Sequence, residues 1–183
     1  MGQRTVFFMD AAHFVLSSFL GWIWSAVRRY VKAASGRQRH NVLGAFNAVT
    51  HEFISVTNDT YVTATTVCEL LHKIATRGLK IPITIVLDNA RYQHCRLVQG
   101  LAAELGIELL FLPSYSPNLN LIERLWKFVK KSVLNSRHQG SFAQFRQTID
   151  ECLSQLGTTH RSAMQTLMNL KFQTFENVST LCE

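Results

Sequence analysis

Three acidic residues stand where acids are costly. Asp10 closes the apolar run Thr5-Val6-Phe7-Phe8-Met9, and Asp88 closes the run Ile81 to Leu87. Glu123 lies beside the apolar stripe of Leu119, Ile122 and Trp126. A carboxylate at such an edge is expensive to desolvate unless something compensates, and a bound divalent cation is one good compensator. Three convergent carboxylates suit two Mg²⁺ or Mn²⁺ ions about 3.5–4 Å apart. Such a pair lowers the pKa of an attacking water or 3′-hydroxyl and stabilises the leaving oxygen of a phosphodiester in an in-line displacement. Each acid alone has an ordinary explanation. Asp10 can start a turn, Asp88 can cap a strand exit, and Glu123 has Lys127 at i+4 for a surface ion pair. The set of three points to phosphoryl transfer.

The elements that carry these acids follow from hydrophobic period and punctuation. Residues 5–12 read as a buried strand ending in an acid. After a break at Gly21, the stretch from Arg28 to His40 is basic and turn-rich. Val42 to Val49 and Phe53 to Val56 read as two strands around Thr50-His51-Glu52. Val67, Leu70, Leu71 and Ile74 mark a helix stopped by Gly78, and Ile81 to Leu87 is a β-branched central strand. Leu97, Val98, Leu101 and Leu105 mark a second helix closed by Gly106, followed by a strand from Ile107 to Leu112. Ser116-Pro117 is expected to open a third helix, with Leu119, Ile122, Trp126, Val129 and Val133 as its stripe. A fourth helix begins at Ser141 and carries Phe142, Phe145, Ile149, Leu153 and Leu156. A short terminal helix is expected from Met164 to Leu170. Three strands without intervening helices predict an antiparallel meander, and the later alternation predicts parallel strands with crossover helices. The fold class is α/β, a mixed five-stranded sheet with helices on both faces.

Composition narrows the class further. The 183 residues are 47% hydrophobic and 17% charged, with 3 Pro and 9 Gly, which excludes a disordered chain, a collagen or a coiled coil. An excess of 19 Lys+Arg over 12 Asp+Glu, net +7, points to a polyanionic partner. Cys68, Cys95, Cys152 and Cys182 form no Cys-x-x-Cys, so reduced thiols are expected in place of a zinc site or disulfide framework. The apolar segment from Thr5 to Val27 is interrupted by Asp10 and His13. Its uncharged remainder, Phe14 to Val27, has 14 residues, short of the roughly 20 a membrane span needs. No membrane role is expected.

Three stretches carry a family resemblance. They are Phe7-Phe8-Met9-Asp10-Ala11-Ala12-His13-Phe14, Val86-Leu87-Asp88-Asn89-Ala90-Arg91-Tyr92-Gln93, and Leu112-Pro113-Ser114-Tyr115-Ser116-Pro117-Asn118-Leu119-Asn120-Leu121-Ile122-Glu123-Arg124-Leu125-Trp126. The sequence resembles the DDE transposases of the mariner-type superfamily, and most of all its bacterial insertion-sequence branch. The third stretch is the most specific, and the 34 residues between Asp88 and Glu123 match the spacing this superfamily favours. The resemblance runs from about residue 5 to residue 175. It implies a ribonuclease H-like fold, with Asp10, Asp88 and Glu123 as the catalytic, metal-binding triad for two Mg²⁺ or Mn²⁺ ions. It also implies cleavage of DNA at element ends and transfer of the freed 3′ ends into target DNA. Many relatives carry a second acid directly after the first Asp, where this chain has Ala11. Relatives also carry an N-terminal helix-turn-helix region. Here the first catalytic strand begins near Thr5, so residues 1–183 are expected to form a single DDE domain without that region. The expected partners are double-stranded DNA, further copies in a homodimer or larger synaptic assembly, and a separately encoded helix-turn-helix subunit or fused N-terminal half. The expected setting is the bacterial nucleoid in the cytoplasm.

Supporting residues are read around the triad. Arg91, Arg124, Lys127 and Lys131 are candidate DNA contacts, the last three because they share a helix with Glu123. The basic run Arg28, Arg29, Lys32, Arg37 and Arg39 falls in a stretch with no acid between Asp10 and Glu52. His13 and Asn89 are candidates to orient the metal ligands; a buried, satisfied hydrogen bond is the other reading of His13, and loop capping that of Asn89. Trp22, Trp24 and Trp126 read as core or interface. Two other functions fit the same residues: a nuclease of this fold that hydrolyses without joining, and a silent remnant that only binds DNA or partner subunits. A haloacid-type phosphatase requires a second Asp two positions after the first, where Ala12 stands.

Overall fold

The structure is a computed structural model, and residues 4–16, 38–113, 119–134 and 141–169 are described. Five strands and five helices follow in the order β1 (Thr5–Leu16), β2 (Gln38–Asn47), β3 (Phe53–Asn58), α1 (Ala64–Ala75), β4 (Ile83–Leu87), α2 (Arg96–Glu104), β5 (Ile107–Phe111), α3 (Ile122–Leu134), α4 (Phe142–Ser154) and α5 (Arg161–Leu167). The strands form one sheet in the order β3-β2-β1-β4-β5. β1, β2 and β3 pair antiparallel, whereas β4 joins β1 and β5 joins β4 in parallel. This is the mixed five-stranded sheet that the alternation of elements implied, in the ribonuclease H-like order that the family resemblance implied.

Strand parity divides the core in two. The odd residues Phe7 and Met9 of β1 join Leu43, Ala45, Ile85 and Leu87 in a cluster with α1 and α2. The even residues Phe8, Ala12, Phe14 and Leu16 join Val42, Phe46 and Val86 in a second cluster with α3, α4 and α5. The sheet is therefore covered on both faces, as expected for strands apolar on both sides. Asp10, even-numbered, belongs to the α3 side.

Several boundaries differ from the sequence reading. β1 runs on to Leu16, because Ala11 to Leu16 continue the antiparallel ladder with Gln38 to Leu43 of β2. The basic stretch ending at His40 therefore enters a strand at Gln38, earlier than expected. The third helix does not extend back to Leu119: α3 starts at Ile122. The carbonyls of Asn120 and Leu121 accept from the amides of Glu123 and Arg124, making a tight turn ahead of the helix. Ser116 and Pro117 lie outside the described residues, as do Gly21, Trp22, Trp24 and the basic residues Arg28 to Arg37. α4 starts as expected, with the Ser141 hydroxyl accepting from the Gln144 amide at 3.3 Å. The last helix begins three residues earlier than expected, at Arg161. Cys68, Cys95 and Cys152 are free thiols. Among the described residues, no helix is long and apolar enough to cross a membrane.

Candidate active site

The parallel pairing of β1 with β4 sets the first two acids side by side. Its register runs from Thr5 opposite Ile83 to Phe8 opposite Val86, and two residues further on it reaches Asp10 and Asp88. Both acids share the parity of Phe8 and Val86, so both belong to the sheet face that α3 covers. The backbone of Asp88 leaves the strand in a local turn, its Oδ1 accepting from the Ala90 amide at 3.2 Å.

Two contacts from the α3 segment bracket Glu123 against β1. Ahead of it, the buried Asn120 donates from Nδ2 to the Met9 carbonyl at 3.2 Å. One turn after it, Trp126 donates from Nε1 to Asp10 Oδ2 at 3.0 Å. Glu123 is thus held between residues that touch positions 9 and 10. Electrostatics report the same convergence. Burial pushes the Asp10 carboxyl up, and the carboxylates of Glu123 and Asp88 push it further, to about 7, against the Ala11 amide and the Trp126 indole. Burial, followed by the Asp88 and Asp10 charges, likewise raises the Tyr92 hydroxyl to about 12. Among the described residues, none of the three carboxylates is in an ion pair. The Glu123–Lys127 pair that the spacing suggested is not formed.

The donor set fits a hard divalent cation. It consists of oxygen ligands, has no ion-pair partner among the described residues, and includes a carboxyl raised first by burial and then by its acidic neighbours, both of which a cation offsets. Among the described residues, no three His, Cys, Asp or Glu side chains converge tightly enough to hold an ion as they stand.

The supporting residues are redistributed. His13 has the opposite parity to Asp10, and its Nδ1 lies 2.7 Å from Asn41 Oδ1. The Asn41 amide already donates to Asn58 Oδ1 at 3.0 Å and to the Thr60 carbonyl at 2.9 Å, so His13 Nδ1 carries the proton in this bond. His13 is part of a polar chain across β1, β2 and β3, and its ring does not support Asp10. Asn89 donates to the Leu112 carbonyl at 2.6 Å, and the Leu112 amide donates to the Leu87 carbonyl at 2.8 Å. It thereby ties the end of β5 to the turn that carries Asp88. Arg124 is committed elsewhere: its Nη1 donates to the carbonyls of Leu167 at 3.1 Å and Asn169 at 2.7 Å, at the end of α5. That role holds its Nη1 at the end of α5. Arg91, Lys127 and Lys131 are exposed.

Two features escaped the sequence reading. One is the Trp126 bond to Asp10, whose only signal was a donor-only indole one turn beyond Glu123. The other is a pair of buried amide side chains in the loops next to Asp88 and Glu123: Gln93, set against the Tyr92 hydroxyl, and Asn120, whose Oδ1 has no partner.

Residues 5–146 match the DDE superfamily endonuclease family. The chain belongs to that family. No curated protein matches it. Among solved structures, the DDE domain is similar to the Mos1 strand transfer complex, with a TM-score of 0.64 and 16% identity over 90% of this chain and 51% of that one. It is also similar to the catalytic domain of Mos1 mariner transposase (TM-score 0.61, 12% identity, 90% of this chain and 76% of that one). A third match is the HTLV-2 integrase catalytic core domain in complex with magnesium (TM-score 0.54, 13% identity, 84% and 86%). The chain spans about half the length of the Mos1 transposase chain in the strand transfer complex. These likenesses establish the fold, that of DDE transposase and integrase catalytic domains.

Proposed function

We propose that residues 1–183 form the catalytic domain of a mariner-type DNA transposase of the bacterial insertion-sequence branch. It cuts DNA at element ends and joins the freed 3′ ends to target DNA. The observation that supports this reading is that the β1–β4 register brings Asp10 and Asp88 to the same end of the sheet, beside the segment that carries Glu123, and that among the described residues none of the three is in an ion pair. In this reading the three carboxylates hold two Mg²⁺ or Mn²⁺ ions. A bound pair supplies Lewis acidity to the attacking and leaving oxygens of a phosphodiester. The chain's own residues do the rest. Asn120 and Trp126 fix α3 against β1, and Asn89 steadies the turn at Asp88. Arg91, Lys127 and Lys131 neutralise backbone phosphates and hold the duplex near the carboxylates. The partners are element-end and target DNA, with two or more copies bridging paired ends. A helix-turn-helix segment, fused or separately encoded, reads the end sequence. The work is done on the nucleoid, in the cytoplasm.

The test supplies precleaved duplexes from the ends of the element that encodes the chain, a target plasmid and Mn²⁺. Wild type, Asp88→Asn and Glu123→Gln are compared. Joining by wild type, falling more than about 100-fold in each variant, supports the transposase reading. Hydrolysis without joining assigns the domain to a nuclease. DNA binding with no reaction assigns it to a silent remnant.

A further inference from the structure

α3 delivers two groups to β1. Glu123 is the acid already considered, and Trp126, three residues later on the same side of the helix, is the second. Its ring is only 2% exposed, so its N–H needs an acceptor. It takes Asp10 Oδ2 at 3.0 Å.

The ring is locked by neighbours from three strands. Phe14 of β1 meets it edge-on at a centroid distance of 6.4 Å and 81°. Phe53 of β3 does the same at 5.9 Å and 84°. Gly44 of β2, the direct cross-strand partner of Asp10, supplies the floor. A Cβ at position 44 would stand 2.8 Å from Trp126 Cη2 and 2.5 Å from Phe53 Cε2. Both are rigid rings already in contact, so a methyl group there must displace the indole, the Phe53 ring or both. The glycine opposite the acid is what lets the tryptophan lie flat enough to reach it.

We propose that Trp126 is a positioning residue for Asp10, seated by Gly44, whose indole N–H fixes the carboxylate rotation through Oδ2 and reserves Oδ1 for a divalent cation. An indole nitrogen is donor-only, so it cannot compete with the carboxylate for the cation. Partners of this kind set ligand orientation, and their loss typically costs 10–100-fold in metal affinity. The inference deepens the reading of Asp10 as a cation ligand and rests on it.

The experiment measures cation binding without catalysis. Metal-free wild type, Trp126→Phe, Gly44→Ala and Asp10→Asn are titrated with Mn²⁺, following the free ion by electron paramagnetic resonance. Far-UV circular dichroism and melting curves verify folding. Trp126→Phe keeps an aromatic ring in the slot but loses the N–H together with the five-membered half of the indole, so the melting curves register the packing loss, and about 10-fold or weaker Mn²⁺ binding is expected. Gly44→Ala is expected to give a similar loss that does not add to the first. In strand-joining assays the apparent KM for Mn²⁺ rises, while kcat at saturating Mn²⁺ changes little. A second readout needs no variant at position 126. The Trp126 indole ¹⁵N–¹H signal, assigned by elimination with Trp22→Phe and Trp24→Phe, should move on Mg²⁺ addition to wild type and stay fixed in Asp10→Asn. Wild-type Mn²⁺ affinity in a folded Trp126→Phe, or an indole signal that ignores Mg²⁺ while Asp10→Asn still abolishes binding, overturns the positioning role and leaves the cation site standing. If wild type binds no Mn²⁺, or Asp10→Asn binds as well as wild type, the cation-site reading falls and the positioning role falls with it.

Discussion

Asp10 makes the free domain pay for its carboxylate cluster. Its folded value of about 7 stands above the 3.8 of the unfolded chain, so between those two values the folded state holds a proton that the unfolded state has lost. Stability of the metal-free protein therefore falls as pH rises from about 4 to about 7 and is level beyond, by at most about 4 kcal/mol. Asp10→Asn removes the slope and makes the metal-free protein more stable than wild type at pH 8. Urea denaturation in EDTA across this range checks it, and a wild type with no slope would refute it. The basic residues divide differently from their appearance in the sequence. Lys127→Ala and Lys131→Ala should each weaken DNA binding and lower the salt slope by about one. Arg124→Ala should instead cost about 1–3 kcal/mol of stability with the salt slope unchanged, as denaturation and salt titration together would report. Charge and helix spacing brought all three forward. Nothing local in the sequence says that the end of α5, 43 residues further on, has already taken Arg124. For His13 the hydrogen-bond reading holds, its ring meeting Asn41. Proximity along the chain suggested Asp10 as well, but strand alternation turns a residue three positions on to the other face.

At the scale of elements, the sequence signals were strongest where period and punctuation agree. The five strands, the α1 and α2 stripes and the Ser141 cap were all legible, and so was the β4 exit at Asp88. They were weaker where a tertiary bond interrupts a local pattern. The apolar stripe expected from Leu119 onward is broken at Asn120 and Leu121, between the 3-10 turn at Leu119 and the start of α3, where Asn120 joins the segment to Met9. That junction sets where Glu123 begins its turn of helix. Asn120→Ala removes a bond worth about 1 kcal/mol and also removes an unpaired buried oxygen, so its stability cost should be small. Its effect on strand joining should be much larger, because α3 loses the anchor three residues before Glu123. Asn120→Asp should be worse than Asn120→Ala on both counts, since it sets an oxygen against the Met9 carbonyl and adds a fourth acid. Melting curves beside joining rates distinguish this from a mere fold defect, which would lower both in proportion.

Across the whole molecule, the α3–α4–α5 layer is fastened to the sheet by a polar clamp that no local pattern announces. His40 on β2 is 3% exposed. Its Nδ1 lies 2.8 Å from Asp59 Oδ1 and its Nε2 3.2 Å from Asp150 Oδ1 on α4. Arg146 of α4 donates to the second Asp59 oxygen at 2.6 Å. The His40–Asp150 pair spans 110 positions, which is why the sequence reading left His40 in a turn-rich stretch. For Asp59, burial works upward, but the His40 and Arg146 hydrogen bonds outweigh it and hold the carboxyl below its usual value. Its contribution is present above the unfolded value of 3.8 and is lost as pH falls through the lower folded one. Asp59 thus weakens the fold on the acid side, whereas Asp10 weakens the metal-free fold toward neutrality. The two slopes oppose, so the metal-free domain should be most stable on the acid side of neutrality. Asp59→Asn should lower stability at neutral pH and flatten the acid limb. Mg²⁺ or Mn²⁺ stabilises the ionised form of Asp10, so millimolar ion should lift the neutral limb and move the maximum to higher pH. Melting temperatures from pH 3 to 8, with and without Mg²⁺, test the whole scheme. Superimposable profiles would mean that the carboxylate cluster takes no cation.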